Sequence, residues 1–72
     1  MKAQIKLFLP QFNEFYYSDE VEMSENELNQ LKVVAEKAVS GDHEYLSFKS
    51  ENETVVFGKE LLKMSVISII ES

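Results

Sequence analysis

The feature that most constrains this fold is a helix start that two independent signals place at the same residue. Ser24 and Glu27 form an S-x-x-E capping box, in which each side chain satisfies a backbone N–H of the other residue. Met23 and Leu28 occupy the two positions of a hydrophobic staple around the same cap. The sequence therefore predicts a helix that begins at Ser24.

The end and the inward face of this helix are also indicated. Gly41 is the expected left-handed residue that ends the helix, which we predict over about residues 24–40. Apolar residues gather on one face at 100° per residue: Leu28, Leu31, Val34, Ala35, Ala38 and Val39. The two alanines imply a close approach to a sheet, whereas Val33 points to the opposite side and has no place in this core.

Strand patterns precede and follow the helix. Alternating apolar residues predict a strand over residues 3–9. We expect a second strand, with a bulge, a break or a turn at residues 18–20, to pair with it. The remaining predicted elements are strands near 45–49, 54–57 and 66–70 and a short helix within 59–65. We therefore expect one α+β domain, a two-layer sandwich with the helix on a mostly antiparallel sheet, in the order β-β-α-β-β-(short helix)-β.

The core of such a sandwich does not use all of the apolar residues. The predicted core consists of Ile5, Leu7, Leu9, Leu28, Leu31, Ala35, Ala38, Leu46, Phe48, Val55, Phe57, Leu61, Ile67 and Ile69. The surplus consists of Phe8, Val33, Val56, Val66 and Ile70. Because contiguous apolar surface in water marks interaction sites, we expect these five residues to form an oligomer interface. A symmetric dimer would cover the back of the sheet or the exposed edge of the last strand.

Charge and composition exclude several classes of partner. The 72 residues hold thirteen acids, seven lysines and no arginine, for a net charge of −6. Direct binding to nucleic acid or to an anionic membrane is not expected, because both depend on cationic side chains. The apolar runs are far shorter than the ~20 residues that span a bilayer, and no secretory pattern opens the chain. We expect a cytoplasmic protein.

The residue types that carry chemistry are sparse. The chain has no cysteine and one histidine, His43, which lies between Asp42 and Glu44 where a solvated loop is expected to follow the helix. No serine lies in a nucleophile motif, and the two glycines cannot form a phosphate-binding loop. We therefore expect no catalytic, cofactor or metal site, and no enzyme.

An acidic, aromatic stretch is the strongest candidate for a protein-binding surface. It consists of Glu14, Phe15, Tyr16, Tyr17, Asp19, Glu20 and Glu22. Aromatic anchors ringed by carboxylates suit a protein interface, since tyrosine buries a large area at low rotamer cost. Two other interpretations remain open. The aromatics belong to the core and the acids to a solvated face, or the acids mimic nucleic acid and occupy a basic groove.

These observations lead to ranked functional hypotheses. The first is a non-enzymatic, acidic protein-binding domain that self-associates and binds another protein. The alternative is an acidic inhibitor, encoded by a phage or mobile element, that blocks a basic host protein. Residues 55–69 resemble C-terminal hairpins in short proteins of Gram-positive phages and mobile elements, a resemblance that carries no functional residue. A third hypothesis is a small-ligand site in an intersubunit cleft lined by Tyr16, Tyr17 and Tyr45.

Overall fold

A computed structural model describes residues 1–72 and shows six strands and two helices. Their order is the predicted one except that the second predicted strand is divided into two, at residues 14–17 and 21–22. The elements are β1 (Lys2–Leu9), β2 (Glu14–Tyr17), β3 (Val21–Glu22), α1 (Glu25–Val39), β4 (Tyr45–Ser50), β5 (Glu53–Gly58), α2 (Lys59–Lys63) and β6 (Val66–Glu71). Every strand pair is antiparallel. The prediction of a small α+β fold with one main helix is confirmed.

The main sheet is built around β1, which pairs with three other strands. β6 follows most of one edge of β1, and β2 and β3 share the other edge. Leu7 lies opposite Tyr16, and Ala3 lies opposite Val21. The segment that connects Tyr16 to Val21 is therefore one residue longer than the segment of β1 between Ala3 and Leu7. The extra residue forms a bulge at residues 18–20, where the polar triplet predicted one.

Ser18 satisfies the backbone where the bulge interrupts the ladder. Its buried hydroxyl accepts a hydrogen bond of 2.8 Å from the N–H of Ile5, and its own N–H donates to the carbonyl of Ile5 at 2.9 Å. The side-chain amide of Gln4 donates to the carbonyl of Ser18 at 2.9 Å. Because an unpaired buried N–H is costly, this serine stabilises the irregular edge.

β4 and β5 form a second, two-stranded sheet rather than extending the first one. Glu51 and Asn52 connect them with φ angles of 50° and 70°, as a two-residue hairpin turn of the primed type requires. Asp19 joins the hairpin to the bulge, since its N–H donates to the carbonyl of Lys49 at 2.8 Å. Its carboxylate also accepts a hydrogen bond of 3.0 Å from the N–H of Glu51.

The predicted limits of the main helix are confirmed. Ser24 caps α1 through both hydrogen bonds of the capping box, at 3.1 and 3.2 Å. The hydrogen bonds from Ser24 lower the pKa of the Glu27 carboxyl, because they stabilise its charged form. At the other end Ser40 is the C-cap, and Gly41 follows with a φ of 86°.

The core lies where the inner face of the main sheet meets the two helices and the hairpin. All of the predicted core residues are buried or half-buried, so that prediction is confirmed. In the short helix, Leu62 is fully enclosed, whereas the predicted core residue Leu61 is only half-buried. The sequence did not indicate Leu62, because a helix of five residues is too short for its apolar pattern to show which face packs inward. Neither helix has both the length and the apolar character needed to cross a membrane.

Candidate protein-binding surface

The outer face of the main sheet has no layer packed over it. Directly paired residues of neighbouring strands point to the same side of a sheet, so the register defines this face. It carries an aromatic and apolar surface, which we name the outer-face patch: Phe8, Phe15, Tyr17, Val66 and Ile70. Phe8 is half-buried, and the other four residues are 39–53% exposed.

The aromatic part of the outer-face patch is ordered by contacts within the chain. Phe15, Phe8 and Val66 form one row across three strands. The rings of Phe8 and Phe15 stack with their centroids 4.4 Å apart, and the ammonium group of Lys6 lies 4.8 Å from the centroid of Phe15. A partner would therefore meet side chains that have already lost much of their rotamer freedom, which lowers the entropy cost of binding.

The three consecutive aromatics do not act as one set of anchors. Phe15 and Tyr17 belong to the outer-face patch, whereas Tyr16 points inward, is half-buried and packs edge-on against Phe57 at a centroid distance of 5.2 Å. Successive residues of a strand point to opposite faces, so the prediction that included Tyr16 as a surface anchor is corrected. Its hydroxyl donates to Glu14, and that carboxylate raises the pKa of the Tyr16 hydroxyl.

Most of the predicted acidic residues make contacts within the chain. Asp19 holds the hairpin turn, and Glu14 accepts the hydrogen bond from Tyr16. Glu22 pairs with the ammonium group of Met1 at 2.8 Å, and this contact lowers the pKa of the Glu22 carboxyl. Only Glu20, which is exposed, makes no such contact. Three of these four acids therefore have a contact within the chain.

The five residues predicted as an oligomer interface do not share one surface. Phe8 and Val66 are directly paired in the outer-face patch, and Ile70 lies on the same face two rows away. Val33 lies on the exposed side of α1 and Val56 on the exposed side of the hairpin. The three tyrosines of the proposed ligand cleft are likewise divided within one chain. Tyr16 points inward, Tyr17 points outward, and Tyr45 lies beside Val56 on the hairpin.

The free edge of β6 is a second uncovered feature of the main sheet. Lys2 and Ser72 exchange two hydrogen bonds of 2.9 Å at the end of the β1–β6 ladder. Since hydrogen-bonded pairs alternate along an antiparallel ladder, the backbone groups of Ile67, Ile69 and Glu71 point away from β1. No strand pairs with this edge of β6.

A groove with a volume of about 520 Å³ runs beside this edge, between α1 and β6. Its lining is largely apolar and consists of Lys32, Ala35, Glu36, Val39, Ser65, Val66, Ile67 and Ile69. Lys32, on the helix side of the groove, forms an ion pair of 3.1 Å with Glu71 of β6. The sequence indicated an exposed last strand, but the groove depends on the distance between the helix and that strand, which no local pattern encodes.

The side chains capable of chemistry are dispersed. No three histidine, cysteine, aspartate or glutamate side chains lie close enough together to hold a metal ion. His43 lines a surface depression near Tyr45, and its buried Nε2 has no hydrogen-bond partner. Neither Asp42 nor Glu44 is hydrogen-bonded to the imidazole, so nothing orients it as a general base would require.

Comparison with other proteins supplies no functional assignment. No known protein family, curated protein or solved structure matches this chain. Function must therefore be inferred from the uncovered surfaces themselves, which are the outer-face patch and the free edge of β6.

Proposed function

We propose that this chain is a non-enzymatic domain that binds another protein and self-associates, with the outer-face patch as the contact surface for its partner. The supporting observation is the patch itself, since five apolar or aromatic side chains share one sheet face that nothing covers. Its continuous part is the row of Phe15, Phe8 and Val66, and exposed apolar surface of this kind marks interaction sites in proteins. Phe15 and Tyr17 are the anchors, because large rigid aromatics dominate the energetics of interfaces.

The charge of the outer-face patch indicates what kind of partner suits it. Lys6 is the one charged residue among the rows that form the patch, although the whole chain carries a net charge of −6. Apolar contacts therefore dominate this surface, and a partner needs a matching apolar face more than a basic one. We expect an association that changes little with salt, since screening weakens mainly contacts between exposed charges.

A photo-crosslinking amino acid placed in the chain in living cells tests this proposal. Phe15 and Val33 are 49% and 48% exposed, so they form a matched pair on different surfaces. We expect a defined protein adduct from position 15, resistant to added salt before irradiation, and none from position 33. Absence of an adduct at position 15, or equal labelling at both positions, contradicts the proposal. An adduct only with basic proteins that salt abolishes would support the acidic inhibitor instead.

A further inference from the structure

We propose that β6 pairs edge-to-edge with β6 of a second copy, antiparallel, about a two-fold axis at Ser68. The inference rests on the proposed self-association and names the interface that produces it. Joining two copies in this way extends the main sheet through both molecules. It also places the two outer-face patches on the same side of the joined sheet, so the partner-binding surface becomes continuous across the dimer.

The two edges of the main sheet differ in how they are protected. Natural proteins block pairing at exposed edges with bulges, proline, lysine or short strands. The edge formed by β2 and β3 is interrupted by the bulge, and Asp19 bonds there to the hairpin. The six residues of β6 include no proline, no lysine and no bulge, and their one charged residue, Glu71, lies at the end of the strand. An unprotected edge is a template for another strand.

The sequence of β6 favours a second copy as the occupant. Residues 66–70 read Val-Ile-Ser-Ile-Ile, which has the same pattern of β-branched residues in both directions from Ser68. A two-fold axis at Ser68 places Val66 opposite Ile70 of the copy, and Ile67 opposite Ile69 of the copy. Every branched apolar side chain then meets another one, which is the favourable kind of cross-strand pair. Such self-complementarity is what a symmetric interface requires.

The residues whose backbone groups point outward from the free edge are compatible with this register. Ile67 and Ile69 both direct their backbone groups outward, so they form a hydrogen-bonded pair when they lie opposite each other. The two neighbouring symmetric registers are centred on Ile67, which sets Ile69 opposite Ser65 of the copy, and on Ile69, which sets Glu71 opposite Ile67 of the copy. Both set a polar or charged side chain opposite an isoleucine, so the register centred on Ser68 is preferred.

The groove beside β6 provides room for the added strand. Ala35, Val39, Ile67 and Ile69 line it and are only half-buried in the single chain. The copies of Ile67 and Ile69 point to this same inner side of the joined sheet and cover those residues. Main-chain hydrogen bonds at an edge, together with pockets for alternate side chains, are the general means by which a sheet accepts an extra strand.

A cysteine placed at the symmetry axis tests the interface directly. In the proposed register the two copies of residue 68 form a non-hydrogen-bonded pair with Cα atoms about 4.5 Å apart, within the range of disulfides. The chain has no cysteine of its own, and both Ser68 and the control position, Ser47, are exposed on strands. We expect Ser68→Cys to form a disulfide-linked dimer under a glutathione buffer, and Ser47→Cys to form far less.

Charge reversal at the same position provides an independent test. Ser68→Lys places like charges opposite each other at the axis, and we expect dimerisation to be about fivefold weaker. Ser68→Glu also sets like charges together, but Lys6 lies opposite position 68 within each chain and offsets part of the repulsion, so its loss should be smaller. An equimolar mixture of the two variants should regain the affinity of the unaltered chain, because opposite charges then meet. Sedimentation velocity measures all three samples, and Ser47→Lys serves as the control for surface charge.

The outcomes separate the two proposals. If the unaltered chain dimerises but Ser68→Cys links no better than Ser47→Cys, and charge at position 68 has no effect, the β6 interface is wrong and self-association uses another surface. If the unaltered chain stays monomeric at every concentration, self-association and the β6 interface are both overturned. Labelling from position 15 then remains the separate test of binding to another protein.

Discussion

The two faces of the main sheet are made by the same strands yet serve different purposes. On the inner side of β1, Ala3 and Leu7 are at most 2% exposed, covered by the helices and the hairpin. On the outer side, Phe8 and its neighbours Phe15 and Val66 have no layer above them. Apolar residues on the inner face hold the fold together, whereas those on the outer face are available for a partner. Stability and binding should therefore respond to different substitutions.

The largest loss of stability should come from the inner face. Leu7→Ala removes a side chain that is 0% exposed, and the cavity it leaves should cost about 2–5 kcal/mol of unfolding free energy. Equilibrium unfolding in urea measures this loss, with Val66→Ala on the outer face as the matched control. A cost below about 1 kcal/mol at Leu7 would mean that the core collapses around the gap and that the two faces do not differ as described.

The bulge should show a smaller but specific effect. Ser18→Ala leaves the N–H of Ile5 without its acceptor, and an unsatisfied buried donor costs about 1–3 kcal/mol. Ser47→Ala, at an exposed position, should change stability by no more than about 0.5 kcal/mol. Equal values for the two variants in urea unfolding would show that the Ser18 hydroxyl does not satisfy the ladder.

An outer-face substitution should separate binding from stability. Phe15→Ala removes the stack with Phe8, so we expect a loss of about 1 kcal/mol, less than at Leu7. With the photo-crosslinking amino acid at Tyr17, the same substitution should abolish the protein adduct. If stability falls as much as with Leu7→Ala, Phe15 serves the fold. If the adduct persists unchanged, Phe15 is no anchor.

The smallest expected effect is on the loss of stability as the pH falls. The folded pKa of Glu27 lies below its ordinary value of 4.5, so its contribution is complete above that value and is lost as the pH falls through the folded pKa. Glu27→Gln keeps a capping-box side chain but removes the titration. Between about pH 6 and pH 3, Tm should therefore fall further in the unaltered chain than in the variant. If Tm falls equally in the unaltered chain and the variant, the titration of Glu27 does not cause the loss of stability in acid.

Local signals explain why the limits of the helix could be predicted and the division of the strands into two sheets could not. The capping box and Gly41 act within a few residues, so the limits of α1 are visible in the sequence. The alternation that reveals a strand is the same whichever strand it pairs with, so it could not show that β4 and β5 separate from the main sheet. Leu62 was missed because its helix is only five residues long.

The candidate site was predictable only in part. Phe8, Phe15, Tyr17, Val66 and Ile70 were all named from the sequence, but as parts of two separate surfaces. Their union depends on the register that sets Phe15 and Val66 on either side of Phe8. Long-range register is set by the whole packed sheet, and no motif within one segment carries it.

The central claim is that the surfaces left uncovered by this fold associate with another protein chain. A measurement of molar mass as a function of concentration tests it most directly. Sedimentation equilibrium from about 10 μM to about 1 mM should show the mass rising from 8.3 kDa towards twice that value. Ser68→Lys should remain closer to 8.3 kDa over the same range. A mass that stays at 8.3 kDa for the unaltered chain at every concentration would contradict self-association.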